Sequence, residues 1–182
     1  AAAVLLVDVA RGRFETAEFD GAKFDGADSQ GGEADTATAF YYPKNKALFA
    51  GDLVSNRATP ALLEGHSCGW LTDLDALAKR FPGARTIYPG HGAPGDAGKL
   101  IAEQRSYLKA FRKLVAPAVA ATSPDGSAVT ADEQASIKAD LARAYPGYQS
   151  VASLPTLVEE NIRAVGAELA RENPATLPAA CR

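Results

Sequence analysis

Ala47-Leu48-Phe49-Ala50-Gly51-Asp52 and Tyr88-Pro89-Gly90-His91-Gly92 are the two phrases on which the reading of this chain turns. Each ends an apolar run on one metal-type donor, a carboxylate in the first and an imidazole in the second. Such positions lie where a strand hands over to a loop, and donors placed there can face a shared cleft. An aspartate has two oxygens, so it can bridge two cations. The histidine stands between Gly90 and Gly92, whose missing side chains let backbone and ligand come close. A neutral imidazole is a good zinc ligand, and its other ring N–H then needs an acceptor. The chain holds only two histidines, His66 and His91, so a histidine-rich cluster cannot be assembled from it alone.

The flanking segments read as strand, helix, strand. Ala37 to Tyr42 is a β-rich run, Pro43-Lys44-Asn45-Lys46 turns it, and Ala47 to Ala50 continues as a buried strand, a hairpin ending at Asp52. Trp70, Leu71, Leu74, Leu77, Ala78 and Phe81 lie at helical spacing until Pro82-Gly83 stops the run. Arg85 to Tyr88 is the next short strand, so a helix layered on a sheet is expected. Upstream, Ala3 to about Gly32 reads as short strands, with turns at Asp20-Gly21 and Asp25-Gly26.

From Ala97 the pattern is helical. Leu100, Ile101, Leu108, Phe111, Leu114 and Val115 form one stripe that is expected to end at Pro117. Thr122 to Ser127 reads as a loop, and Thr130-Ala131-Asp132-Glu133 has the form of a capping box opening a helix to about Tyr145. Leu157, Ile162, Val165 and Leu169 mark a last helix, with an irregular tail from Asn173. Lys99, Glu103, Arg105, Lys109, Arg112 and Lys113 read as solvated helix faces. The expected division is a sheet-bearing part over residues 1–96 and a helical extension over 97–182 packed on it.

A length of 182 residues with 47% hydrophobic content allows one domain with a substantial core. The net charge of -3 and pI near 5.4 give no electrostatic reason to expect nucleic acid or an anionic membrane as partner. No apolar stretch approaches the roughly 18–20 residues needed to cross a bilayer. Ala1 to Val7 is too short for a signal peptide and has no basic flank. The absence of methionine implies that something precedes Ala1: an initiator residue, a leader or a larger N-terminal portion. Cys68 and Cys181 could form one disulfide, but nothing in the sequence brings them together, and two unpaired thiols are the expectation. Two cysteines and a trimmed start lean toward a periplasmic or secreted protein.

The stretch from Gly31 to Gly95 resembles the second half of the metallo-β-lactamase-fold hydrolases. In that superfamily a strand phrase of the type leucine-phenylalanine-x-glycine-aspartate supplies the metal-bridging aspartate, here matched by Leu48 to Asp52. A later proline-glycine-histidine-glycine supplies a terminal metal histidine, here Pro89 to Gly92. The superfamily's richest motif, histidine-x-histidine-x-aspartate-histidine, is absent from this chain. A further family histidine normally stands before the hairpin, and Glu33 falls at that place, which implies a variant site with an oxygen ligand or one metal fewer. A solvated loop carboxylate is the alternative for Glu33.

The resemblance implies an α/β fold, an αββα sandwich of which this chain is the second half plus C-terminal helices. It implies zinc as cofactor, two ions in the complete enzyme, with iron or manganese as alternatives. It also implies a metal-bound hydroxide acting on an ester, thioester, lactone or amide of a small-molecule substrate. Asp52 would orient the nucleophile, and Asp52, His91 and Glu33 would ligate metal. His66, in the loop Glu64 to Gly69 that borders the family's substrate cleft, is the candidate substrate-binding residue; ordinary loop residues are the alternative for His66 and Cys68. Two or three donors are too few for a dinuclear centre, since each ion takes about four to six ligands. The remaining donors would come from an N-terminal half or a companion chain. Two other readings stand beside this one: a metal-free half-fold acting as a binding or subunit-interaction domain, and an unrelated α/β domain in which the two phrases coincide by chance.

Overall fold

The strand runs around the two phrases lie at the centre of one mixed sheet. The computed structural model describes residues 16–19, 22–29, 32–34, 36–122, 129–151 and 154–182. The elements are β1 (Thr16–Phe19), β2 (Ala22–Ser29), β3 (Ala37–Tyr42), β4 (Ala47–Ser55), β5 (Ala58–Thr59), α1 (Ser67–Arg80), β6 (Thr86–His91), β7 (Gly95–Asp96), α2 (Ala97–Thr122), α3 (Ala131–Ala144), β8 (Gln149–Ser150) and α4 (Leu157–Arg171). The six-stranded sheet has the order β1-β2-β3-β4-β6-β7. Strands β1 to β4 pair antiparallel, and β6 then joins β4 in parallel. Parallel neighbours need a crossover, and α1 supplies it.

Register separates the two sheet faces. Tyr41 lies opposite Leu48, and Leu48 beside Ile87; Phe40 lies opposite Phe49, and Phe49 beside Tyr88. Leu48 and Ile87 are fully buried in a core shared with Trp70, Leu71 and Leu74 of α1 and Leu108, Phe111 and Val115 of α2. That core crosses the expected boundary at residue 96 without a break. On the other face Phe49 and Tyr88 stack at 4.8 Å, and 38% and 41% of their surfaces stay exposed, so no described element covers them. Among the described residues the sheet therefore has one helix-covered side and one aromatic side without a covering layer.

Four expectations about where elements turn, start or end do not hold. Asp25-Gly26 is not a turn: it sits inside β2, opposite Tyr41 and Phe40, where ladder bonds outweigh the local turn preference. Strand β4 runs past Asp52 to Ser55, because Leu53, Val54 and Ser55 are buried and gain from staying in the sheet layer. Helix α1 begins at Ser67, which places Ser67 and Cys68 in its first turn and not in a loop. Helix α2 continues through Pro117 to Thr122. Proline forfeits one backbone bond there, but Ala118 and Val119 extend the buried stripe beyond it. The Asp20-Gly21 turn and most of the 122–127 loop lie outside the described residues. The capping box is present: Glu133 N–H donates to Thr130 Oγ1 at 3.3 Å, and Thr130 N–H donates to Glu133 Oε2 at 2.8 Å. The pair of short parallel strands β5 and β8 has no counterpart in the sequence pattern.

A buried ionic cluster joins α1, α2 and α4. The N-cap residue of α1, His66, makes no side-chain capping bond. Glu168 of α4 serves instead, accepting from Ser67 N–H at 3.0 Å, Ser67 Oγ–H at 2.5 Å and Cys68 N–H at 2.8 Å. A carboxylate also suits the positive end of the helix. Arg112 of α2 donates to Ser67 Oγ at 2.8 Å and Glu168 Oε1 at 3.2 Å, and its second nitrogen donates to both Glu172 oxygens at 2.7 Å. Arg112 is thus not a solvated surface residue: it is 6% exposed, because two carboxylates and a serine hydroxyl replace water around its guanidinium.

The thiols are not free either. Cys68 and Cys181 are disulfide-bonded across 113 residues, with Cα atoms 5.4 Å apart. The tail that brings Cys181 there ends in a 3₁₀ turn, Ala179–Cys181, packed on α1. Sequence spacing could not show this, because the proximity arises from tertiary packing.

Reduction of the disulfide is expected to lower unfolding free energy by about 4–5 kcal/mol on the loop-entropy account, read from urea curves with and without reductant. Coincident curves would contradict a native bond. Glu168→Ala is expected to cost about 3 kcal/mol in the same assay, since it leaves Arg112 short of a partner and α1 uncapped; a change near zero would mean that the cluster is not formed.

Candidate metal centre

The pairing of β4 with β6 is irregular at the two phrases. Gly51 pairs with Pro89, and the next pair is Ser55 with His91, so Asp52, Leu53 and Val54 together face one residue, Gly90. Strand β4 therefore bulges, and Gly51 enters the bulge at φ +52°, a conformation that suits glycine. The bulge lays the Asp52 carboxylate over β6. A Cβ on Gly90 would collide with Asp52 Oδ1 and would sit 2.8 Å from the Gly51 carbonyl carbon. Gly90 is required by close approach, not by its backbone angles.

The second glycine has its own reason. Gly92 has φ +87°, and a Cβ there would run into the Asn56 carbonyl oxygen and lie 2.9 Å from Asn56 Cβ. Asn56 N–H donates to His91 O at 2.8 Å, and Asn56 Nδ2 donates to Ala93 O at 2.7 Å. The backbone on both sides of Gly92 is thus clamped to the end of β4.

The result is that Asp52 Oδ1 and His91 Nε2 lie 3.4 Å apart, with side chains 52% and 40% exposed. Both donors are reachable from solvent. Glu33 lies within electrostatic reach of both. Burial raises its carboxyl pKa above the usual value, the Asp52 charge raises it further, and His91 partly offsets this. Its Oε2 is shut off from solvent and has no hydrogen-bond partner among the described residues. Glu33 is half-buried, so it is not simply a solvated loop carboxylate.

Among the described residues no group of three or more His, Cys, Asp or Glu is gathered closely enough to hold a metal ion. The structure brings Asp52 and His91 together and leaves Glu33 near them without completing a ligand set. The chemistry of the three fits a cation: two carboxylates and an imidazole suit zinc, iron or manganese. An orphaned buried carboxylate oxygen is also a group that a cation would satisfy.

His66 stands at the start of α1, half-buried, its carbonyl accepting from Trp70 N–H at 2.8 Å. Cys68, two residues on, is held in the disulfide and offers no free thiol beside His66. Three residues that the sequence did not single out as part of the site hold it in place. Asn56 clamps the His91 loop. Trp70, fully buried, donates from Nε1 to Leu53 O at 2.9 Å, which ties α1 to the residue after Asp52. Gln104 of α2 accepts from Ser55 N–H at 3.2 Å, which ties α2 to the end of β4. No local pattern marks them, because their partners lie 17 to 49 residues away.

A metallo-beta-lactamase family protein from Thermus thermophilus superposes with a TM-score of 0.57 at 19% identity, over 84% of this chain and 45% of its own. The chain has the metallo-β-lactamase fold. A double mutant of the sec-alkyl sulfatase PisA1 shares the fold at TM-score 0.57 and 20% identity, over 90% of this chain and 27% of its own. A metallo-beta-lactamase from Pontibacter korlensis is 26% identical over 51% of this chain and 44% of its own, at TM-score 0.47. No family model and no curated protein sequence matches the chain. It spans less than half the length of each of these metallo-β-lactamase-fold structures.

Gly90→Ala is expected to lower stability by about 2 kcal/mol or more, because the methyl group meets backbone that cannot retreat. Gly51→Ala, with open space around its Cβ, is expected to cost only about 1 kcal/mol of backbone strain. Urea denaturation of both variants checks the order; equal costs would contradict the close crossing.

Proposed function

We propose that this chain carries part of the centre of a metal-dependent hydrolase acting on an ester, thioester, lactone or amide of a small molecule. The observation that carries the reading is the contact of Asp52 with His91 across the bulge, on a metallo-β-lactamase fold. Asp52 and His91 would hold the ion, zinc in the first instance, and Glu33 would join them as an oxygen donor. Bound there, such an ion would supply a water of lowered pKa and polarise a carbonyl oxygen. The chain's own residues do the positioning. Gly90 lets the Asp52 carboxylate lie over β6, Asn56 holds the His91 backbone, and Trp70 fixes α1 beside the bulge. His66, at the mouth of α1, would contact substrate. The remaining donors would come from an N-terminal half or a companion chain lying on the open aromatic face of Phe49 and Tyr88, whose exposure supports a further layer there. The Cys68–Cys181 bond supports a periplasmic or secreted location. Among the described residues no helix is long and apolar enough to cross a membrane.

A second reading is a metal-free half-fold that serves as a binding or subunit-interaction domain. The absence of any three-donor group among the described residues favours it. Zinc titrated calorimetrically into the chelator-stripped chain separates the two. The hydrolase reading expects one saturable site, lost in Asp52→Ala and weakened at least about tenfold in His91→Ala. Heat that is absent, or unchanged in both variants, would favour the metal-free domain.

A further inference from the structure

A cavity of about 390 Å3 opens on the far side of Asn56, between the β4–β5 turn, the start of α2 and the end of α3. Asn56, Arg57, Lys99, Glu103, Tyr145 and Tyr148 lie on its wall. None of them belongs to the Asp52–His91 contact, yet Asn56 is shared in position: its backbone clamps the His91 loop while it lines this cavity.

Arg57 is the unusual member. It has φ +55°, left-handed backbone that a non-glycine residue adopts at a cost of about 1 kcal/mol or more. The conformation is held from both sides. Asn56 before it is bonded to His91 O, and the Arg57 carbonyl accepts from Gln149 N–H at 3.2 Å where β5 meets β8. The guanidinium is therefore presented from a backbone that the fold keeps strained.

Among the described residues its charge is not spent on an ion pair, unlike those of other arginines. Arg105 pairs with Asp75, Arg112 with Glu168 and Glu172, and Arg143 with Asp140. Arg57 lies on the cavity wall without an ion pair among the described residues. Lys99 adds a second positive charge, partly balanced by Glu103 at 3.8 Å. Opposite, Tyr145 donates to Ser106 O at 3.1 Å and stands edge-on to Tyr148. Tyr148 stacks on the buried Tyr107 at 5.5 Å, which fixes its ring, and its hydroxyl has no hydrogen-bond partner among the described residues. Burial raises the Tyr148 phenol pKa, so that hydroxyl keeps its proton and can donate. Pro146-Gly147 shapes this wall: Gly147, at φ +78°, turns the chain so that Tyr148 folds back, and a Cβ added there would lie 3.6 Å from Arg57 Nη2.

We propose that this cavity binds the oxyanion group of a small molecule, a carboxylate or a phosphate, between the Arg57 guanidinium, the Lys99 ammonium and the Tyr148 hydroxyl. A guanidinium fork with a neutral phenol donor is a fitting partner for a planar or tetrahedral oxyanion. Glu103 on the same wall disfavours multiply charged ligands, so one negative group is the best match. No metal is needed for this binding. If the hydrolase reading holds, the cavity lies beyond the clamp of the His91 loop and would anchor the anionic end of that substrate or a second, regulatory anion.

The test is a chemical-shift titration of the chelator-treated chain at low salt, with benzoate, phenyl phosphate and inorganic phosphate as separate probes. Saturable shifts are expected at Arg57, Lys99 and Tyr148. Benzoate shifting these signals at lower concentration than the phosphates would mark a carboxylate site, and the reverse order a phosphate site. Arg57→Gly removes the guanidinium and relieves the positive φ, so it is expected to fold at least as stably while binding falls about tenfold or more. Tyr148→Phe, which keeps the stacked ring, is expected to weaken binding by about three- to tenfold. Shifts that never saturate, or that persist unchanged in a well-folded Arg57→Gly chain, would overturn the proposal. Because metal is stripped throughout, that outcome would leave the zinc titration of the Asp52–His91 centre untouched.

Discussion

The close crossing of β4 over β6 is the constraint from which the rest of this site follows. Three residues of one strand are accommodated opposite a single glycine of the other, and this extra length carries the Asp52 carboxylate over β6 to His91. Each glycine of the two phrases answers a separate steric demand. Gly51 supplies a left-handed turn, Gly90 a vacant Cβ, and Gly92 both. The strand pair is parallel, so α1 must cross between them, and the helix is then fastened back to the bulge through Trp70. Packing of α1 and α2 on the Leu48 and Ile87 face keeps the strands in place, while no described element covers Phe49 and Tyr88 on the opposite face.

The C-terminal helices do more than cover this sheet. Glu168 caps α1 from α4, Arg112 bridges it to α2, and the disulfide draws the chain's tail to the same helix start. Buried charges of this kind contribute little net energy when intact and cost several kcal/mol when one partner is removed. They tie α1, α2 and α4 to one another at the start of α1, where the segment after Asp52 ends. Asn161 adds to this by accepting from Leu62 N–H and donating to Pro60 O, both bonds buried. The segment bordering the candidate centre is thus held by α4, about 100 residues further along the chain.

What can be seen in the sequence follows from the range of the forces involved. The apolar spacing of Trp70, Leu74 and Leu77, the Thr130–Glu133 cap and the Pro43–Lys46 turn are local, and each stands where the pattern puts it. The Asp52 and His91 phrases are visible because their glycines are local as well. Arg112 reads wrongly as surface because a charge on a helix face gives no sign of carboxylates arriving from α4. The Cys68–Cys181 bond and the parallel pair of β5 and β8 depend on tertiary closure in the same way. Asp25-Gly26 and Pro117 show the opposite failure, in which a correct local preference is overruled by ladder pairing or burial. Asn56 and Arg57 are silent as letters, since a positive φ on arginine becomes evident only in the folded chain.

The proposed centre has Asp52 and His91 meeting at one cation. X-ray absorption at the zinc edge on the zinc-loaded chain would decide whether they do. The expected spectrum is a nitrogen and oxygen shell at roughly 2.0–2.1 Å with the outer scattering of one imidazole, which disappears in His91→Ala. A spectrum without imidazole scattering, or one that the substitution leaves unchanged, would contradict it.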